Sequence, residues 1–343
     1  MIVVRTPFRV SFVGGGSDLP AYYLRHGGAV VSTTIDKYMY IVIHSYFSDK
    51  IRLKYSRLED VDRIEDIQHP IVRECLTFQQ ISKGMEIASF ADVAAGTGMG
   101  SSSAFTVGLL HALHAHRGEQ VSPAELAEAA CEVEIHRLGE PIGKQDQFAS
   151  AFGGLNYIRF SMDGSVQVEP IALSASACRE FESRLMLFSV GNERSASTIL
   201  DEQTRNMNDP GKSVMVARMV ELADLFRRGL QREQFDECGD WLNENWKLKR
   251  ELADGISPPF VEQTYGRAIA AGATGGKLLG AGNSGFLLVY CQPAKQDSVR
   301  AALKTLKEMP FRFSSGGSQI IFSDEQTAPR ESSGKNRTPA LVP

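Results

Sequence analysis

Gly96-Thr97-Gly98-Met99-Gly100-Ser101-Ser102-Ser103 is the stretch whose reading decides the fold of this chain. An extended apolar segment, residues 85–95, runs into it, and an apolar-periodic run, residues 104–115, leaves it. The pattern predicts strand, glycine turn, helix. Glycine lets consecutive backbone N–H groups turn toward one point. The helix adds its own unpaired N–H groups and the positive end of its dipole. Together these make a place for phosphate. The serines can cap the helix or put a hydroxyl on a metal ion. A plain glycine turn with a serine N-cap is the competing reading of the segment alone.

Two familiar nucleotide motifs fail. A Walker loop needs a glycine, four residues, then Gly-Lys-Ser/Thr. Around Gly276-Lys277 the first glycine is replaced by Ala271 and the hydroxyl by Leu278. Gly280-Ala281-Gly282-Asn283-Ser284-Gly285 has dinucleotide spacing, yet Phe286-Leu287-Leu288-Val289-Tyr290 after it reads as a strand rather than a helix. It is a strand–turn–strand loop.

Net charge of −4 argues against a nucleic-acid or membrane-surface partner. No apolar run reaches the ~18 residues of a membrane helix, and the first residues lack a signal-peptide layout. Cys75, Cys131, Cys178, Cys238 and Cys291 are scattered, odd in number and without a CxxC pair. Reduced thiols and a cytoplasmic location are expected. His111, His114 and His116 lie close in sequence, but only the first two share a helix face, so a metal cluster is not expected there.

A length of 343 residues suggests two domains, divided near residue 175. Strands are expected over 1–13 and 29–46, a hairpin into 51–55, a helix over 67–83, and a helix from Pro123 to about residue 138, with Ser122 before it. Another hairpin covers 155–173. The second half reads as strand 184–190, helices 195–207, 211–228, 231–252 and 258–271, strands 277–279 and 286–290, helix 294–308, and strands 311–313 and 319–322. That order suggests an α+β layer. Residues 324–343 read as a disordered tail.

Phosphoryl transfer needs a phosphate cradle, a metal and a group that positions the nucleophile. Glu132 and Glu134, on the predicted helix, can each meet the loop serine at magnesium, and either can equally be a solvated surface charge. Gly143-Lys144-Gln145-Asp146-Gln147 is a polar loop before an apolar segment. Asp146 can cap the short helix that follows, or accept a proton from an attacking hydroxyl. Lys144 and Arg9 are the candidate cationic neighbours.

With the segment Pro7-Phe8-Arg9-Val10-Ser11-Phe12-Val13-Gly14-Gly15-Gly16-Ser17-Asp18, the glycine loop, and Leu279-Gly280-Ala281-Gly282-Asn283-Ser284-Gly285, the chain resembles the GHMP small-molecule kinases. The three motifs span most of the chain in the family order. The resemblance implies an α+β fold of two domains: residues 1–175 like domain 2 of ribosomal protein S5 and binding ATP, residues 176–323 ferredoxin-like. It implies that Asp146 is the catalytic aspartate with Arg9 beside it, that Ser102 and Glu134 hold Mg²⁺, and that residues Gly96, Thr97, Gly98, Met99, Gly100, Ser101, Ser102 and Ser103 hold the ATP phosphates. Asn283-Ser284 departs from the family's third motif.

Within the family the wording is closest to the bacterial heptose 7-phosphate kinase branch, in Ile35-Asp36-Lys37-Tyr38, in the Lys-Gln-Asp-Gln run and in Asn192-Glu193-Arg194-Ser195-Ala196-Ser197. That implies phosphorylation of the C1 hydroxyl of D-glycero-D-manno-heptose 7-phosphate, feeding activated heptose for capsule or lipopolysaccharide. The sugar phosphate would meet Gly15, Gly16, Ser17, Asp18, Lys37, Gln147 and Gly282, with Arg194, Ser195 and Ser197 on its phosphate. A kinase of an unphosphorylated sugar, or a non-catalytic regulator on the same scaffold, are the alternatives. Homo-oligomerisation is compatible with all of them.

Overall fold

A computed structural model describes residues 1–191 and 197–324, without the side chains of Ser197 and Thr198. Arg194, Ser195 and the tail beyond Asp324 lie outside the described residues. The elements, in chain order, are β1 (Ile2–Val13), α1 (Pro20–His26), β2 (Gly28–Ser45), β3 (Ile51–Lys54), β4 (Leu58–Val61), α2 (Pro70–Phe78), β5 (Met85–Ala91), α3 (Ser101–His116), α4 (Pro123–Cys131), α5 (Gln145–Phe152), β6 (Leu155–Phe160) and β7 (Val166–Pro170). Then come α6 (Ala175–Ser183), β8 (Leu185–Val190), α7 (Ser197–Asn206), α8 (Pro210–Gln231), α9 (Phe235–Arg250), α10 (Pro259–Ala270), β9 (Gly275–Leu278), β10 (Gly285–Tyr290), α11 (Gln296–Ala302), β11 (Phe313–Ser314) and β12 (Gln319–Ser323).

β2 organises the first half. It pairs with β1 along one edge and, on the other, with β6 through its first part and β5 through its last. Its first eight residues, rich in Val and Thr, are all buried, whereas its last part alternates. The difference follows from cover: α3 and α5 pack on one face of β1 and β2, and α8 covers the other face of the early part. α3 is apolar almost all round because it is packed between the sheet and α2, α4 and α5. Ser122 and Glu125 form a reciprocal capping box at the start of α4, with Pro123 at its first turn, as the sequence predicts.

The second sheet has the order β8-β10-β9, all antiparallel. Residues 307–309 extend it beyond β8: Ser189 N–H donates to the Lys307 carbonyl and Met309 N–H to that of Leu187. With α7 to α10 between β8 and β9, and α11 after β10, this is the strand order of a ferredoxin-like unit. The sequence places the closing strands of this layer at 311–313 and 319–322. Instead β11 pairs with β2 and β12 with β1, so the chain returns to the first sheet. The reason is an edge: β1 has a free side that only the returning chain covers.

An aromatic cluster joins the halves. Phe12 of β1 stacks on Phe226 of α8 with ring centroids 5.5 Å apart and meets Phe181 of α6 edge-on at 5.4 Å. Phe313 of β11 closes the group. Phe12 is fully buried, so Phe12→Ala is expected to lower unfolding free energy by about 3–5 kcal/mol. Urea denaturation checks this; a loss below about 1 kcal/mol would show that the cluster repacks.

Candidate active site

The glycine loop is held between two motifs. Arg9 N–H donates to the Met99 carbonyl at 3.1 Å, fixing the loop to the first strand. On the other side Gly98, at φ +79°, lies so close to the Leu279–Gly280 backbone that a Cβ there would sit 2.3 Å from the Leu279 oxygen. A Cβ on Gly285 would sit 2.4 Å from the Thr97 oxygen. The second and third glycine motifs therefore pack backbone on backbone, which only glycine permits. Gly100 is the N-cap of α3 and no side chain caps the helix. The serines are therefore not the cap; they occupy the first helical turn, whose amide donors have no intrahelical acceptors.

Helix α4 does not run on regularly. Residues Glu132–Arg137 widen into a π-helical turn, a distortion frequent at functional sites. The two candidate glutamates, two residues apart, face opposite sides of the helix. Glu132 stays on the surface beside Arg137, 3.2 Å away. Glu134 is fully buried and accepts from the Ser102 hydroxyl at 2.6 Å and from Gln147 Nε2 at 2.7 Å. Burial raises its carboxyl above the usual range, against hydrogen bonds from Ser102, Ser103 and Gln147. A carboxylate and a hydroxyl at the phosphate end of a helix are hard oxygen donors, a set that suits Mg²⁺.

Asp146 is not the cap of α5; Lys144 holds that position and makes no capping bond. The Asp146 carboxylate instead takes a forked pair of hydrogen bonds from Arg9, Nε to Oδ1 at 2.7 Å and Nη2 to Oδ2 at 2.8 Å. The third guanidinium nitrogen donates to the Gly98 carbonyl. Such bidentate pairing fixes both orientation and charge; Gln145 Nε2 also donates to Oδ1, at 3.4 Å, while Oδ2 keeps a further lone pair for a hydroxyl donor. Lys144 turns away, to the Gly164 carbonyl at 2.8 Å and over the Tyr23 ring.

Arg9, Asp146, the loop glycines and Ser101 to Ser103 line one cleft of about 380 Å³ between the halves, and Glu134 lies buried behind Ser102. Gly16 and Asp18 line it as expected. Asp18 accepts from Gly16 N–H at 2.8 Å, and Gly15 lies beside it. Four expected contacts are corrected. Ser17 is buried and bonded to Ala29, a structural tie within the turn. Gln147 is buried behind Glu134, so it positions the carboxylate rather than touching sugar. Gly282 packs on the Ile256 backbone, while Gly280 and Ala281 face the cleft. Lys37 pairs with Asp36 and lines a separate pocket on the far side of the loop, with Thr97. Met99 is a core residue that contributes only its backbone to the loop. Ser197 opens α7.

Sequence reasoning missed Lys249 and Lys277, which both line the cleft. Lys277 stood in plain view inside the rejected Walker segment. Lys249 had only its helical spacing to Asn245, whose Oδ1 accepts from Gly14 N–H at 3.0 Å. His111 faces Ser318, and His114 faces Gln79 and Glu119.

The GHMP kinases N-terminal domain matches residues 70–154, and the GHMP kinases C-terminal domain matches residues 226–309. The chain belongs to the GHMP kinases. It is accordingly a phosphotransferase with an alcohol acceptor. This GHMP kinase is 27% identical to the D-glycero-α-D-manno-heptose 7-phosphate kinase of Campylobacter jejuni, over 88% of the chain and 93% of that protein. It is 28% identical to the bifunctional fucokinase/GDP-fucose pyrophosphorylase of Arabidopsis thaliana, over 85% of the chain but only 30% of that longer protein. The crystal structure of a D-glycero-D-manno-heptose 1-phosphate kinase from Bacteroides thetaiotaomicron superposes with a TM-score of 0.78, covering 94% of this chain and all of that one at 24% identity, a likeness of fold. Among the described residues no helix is long and apolar enough to cross a membrane.

Glu134→Gln tests the buried carboxylate. It removes a buried charge but keeps the shape, so the ligand-free thermal midpoint is expected to hold or rise. The added stabilisation that Mg²⁺ gives to ATP binding should fall about tenfold or more in affinity terms, read by calorimetry with and without the metal. Equal magnesium dependence in both proteins would contradict the role.

Proposed function

We propose that this GHMP kinase transfers the γ-phosphoryl group of ATP to the C1 hydroxyl of D-glycero-D-manno-heptose 7-phosphate, giving the 1,7-bisphosphate. The product would serve nucleotide-activated heptose and surface polysaccharide synthesis. The observation that carries the reading is the Arg9–Asp146 pair, set in one cleft with the glycine loop and with Asp18. The likeness to the Campylobacter heptose 7-phosphate kinase along nearly its whole length favours this acceptor.

In this reading residues 96–103 hold the ATP phosphates through loop and helix amides. Ser102 and Glu134 hold Mg²⁺, which when bound offsets charge on the phosphate oxygens. Asp18 accepts from sugar hydroxyls. Asp146 accepts from the C1 hydroxyl and aims its oxygen at the γ-phosphorus. The new P–O bond forms as the bond to the β-phosphate oxygen breaks, ADP leaves, and the hydroxyl proton passes to Asp146. Arg9 holds that carboxylate in place. Catalysis is then positioning and electrostatics rather than covalent chemistry.

An ADP-release assay across heptose 7-phosphate, free heptose, fucose and galactose tests the acceptor. Turnover with heptose 7-phosphate above the others is expected; turnover with fucose or galactose alone would move the enzyme to the free-sugar branch. Asp146→Asn is expected to lower kcat about 10²–10⁴-fold while ATP affinity, measured calorimetrically, stays within a few-fold. Retained turnover would remove Asp146 from the chemistry.

A further inference from the structure

Beyond the groups already assigned, the acceptor side of the cleft is built from three polar side chains of the C-terminal half. Lys249 of α9 is 5% exposed, Lys277 of β9 is 2% exposed and Gln203 of α7 is fully buried. All three line the cleft. Lys249 Nζ donates to Gln203 Oε1 at 3.0 Å. That leaves Gln203 Nε2, also buried, with no hydrogen-bond partner among the described residues. Among those residues Lys277 Nζ has no hydrogen bond or ion pair either.

Two buried ammonium groups side by side are costly unless an anion joins them. The price shows in both lysines: burial brings Lys249 down to about 8, and burial with the charges of Lys249 and Arg9 brings Lys277 down to about 7. Asp18 acts on both lysines and Asp146 on Lys277 through space, yet neither carboxylate is hydrogen-bonded to a lysine. Asp146 is taken by Arg9, and Asp18 by the amides of Gly16 and Gln145. Ammonium and amide donors without acceptors suit a tetrahedral dianion. The position favours the acceptor over ATP. The ideal Cβ of Gly16 would lie 3.5 Å from Lys249 Nζ, and that of Gly15 4.0 Å from Lys277 Nζ, so both ammoniums abut the turn that carries Asp18. ATP phosphates have their own amides at residues 96–103.

We propose that Lys249, Lys277 and the Gln203 amide hold the phosphomonoester of the acceptor, and so make the enzyme prefer a phosphorylated sugar to the free one. This rests on the reading of the cleft as a sugar-phosphate kinase site.

The test uses the full chain and two variants. Lys249→Met replaces a buried charge by an apolar chain of similar length, a change that buried sites tolerate. Gln203→Glu keeps the shape, pairs with Lys249 and repels a dianion. With saturating ATP, each variant should raise KM for heptose 7-phosphate about tenfold or more and lower the preference over free heptose equally, with KM for ATP nearly unchanged. Folding is checked by thermal midpoint, and Lys277→Met stands in for a variant that fails to fold. Inorganic phosphate titrated calorimetrically without nucleotide should bind the wild type and bind Lys249→Met at least tenfold more weakly. Unchanged sugar-phosphate preference in both variants, equal phosphate affinity, or a loss confined to the KM for ATP would overturn the assignment. If the wild type itself turns over only free sugars, the proposed acceptor falls first and the lysine assignment with it. If the wild type turns over heptose 7-phosphate and the variants keep its preference, the lysine assignment falls alone.

Discussion

The buried guanidinium of Arg9 is the interaction on which the site depends. Its fork fixes the Asp146 carboxylate, its remaining nitrogen holds the Gly98 carbonyl, and its backbone N–H holds Met99. One residue of the first strand thus sets the distance between the glycine loop and the Asp146 carboxylate. Arginine suits this because its planar donors match a carboxylate and a carbonyl at once. A lysine would offer a point charge and lose the fixed angle. The cost of burying such a pair is met by geometry: nearly every donor and acceptor has a partner.

The loop's other support is steric. Gly98 rests on the Leu279–Gly280 backbone, and Gly285 on Thr97, at distances that exclude any side chain. The contact couples the third motif, which belongs to the small sheet, to the loop beside the large one. The aromatic cluster of Phe12, Phe181, Phe226 and Phe313 holds the two halves in register further away. Since β11 and β12 return to the first sheet, the chain crosses between halves twice, and the cleft is braced from both sides. The charges inside it follow one logic. Glu134 is buried beside Ser102, where a cation would relieve it, and the two lysines are buried beside Gly15 and Gly16, where an anion would.

Much of this was legible in the residues. Glycine before an apolar-periodic run announced the loop and α3, and Ser122-Pro123 announced α4, because caps and turns are local chemistry. Asp146 and Arg9 stood out as a pair only once the motif resemblance set them together. On residue type alone Glu132 and Glu134 stayed alternatives, since either carboxylate could be a solvated charge; the motif resemblance favoured Glu134, and its burial is set by packing. Lys249 gave no sequence signal of a site and Lys277 only a failed Walker match, since lysines are ordinarily exposed. Gln147 and Ser17 were read as sugar contacts because polar residues in a motif look alike whether they face a ligand or support the residue that does.

The sequence by itself determined the local pieces: the strand–glycine–helix phosphate site, the order of the two halves, and the residue types that phosphoryl transfer requires. Those follow from propensity, periodicity and spacing along the chain. Only the tertiary structure decided where strands β11 and β12 belong, and that two distant lysines share one cleft. Each of those outcomes depends on contacts between residues far apart in the chain, and burial and electrostatics act on distance in space.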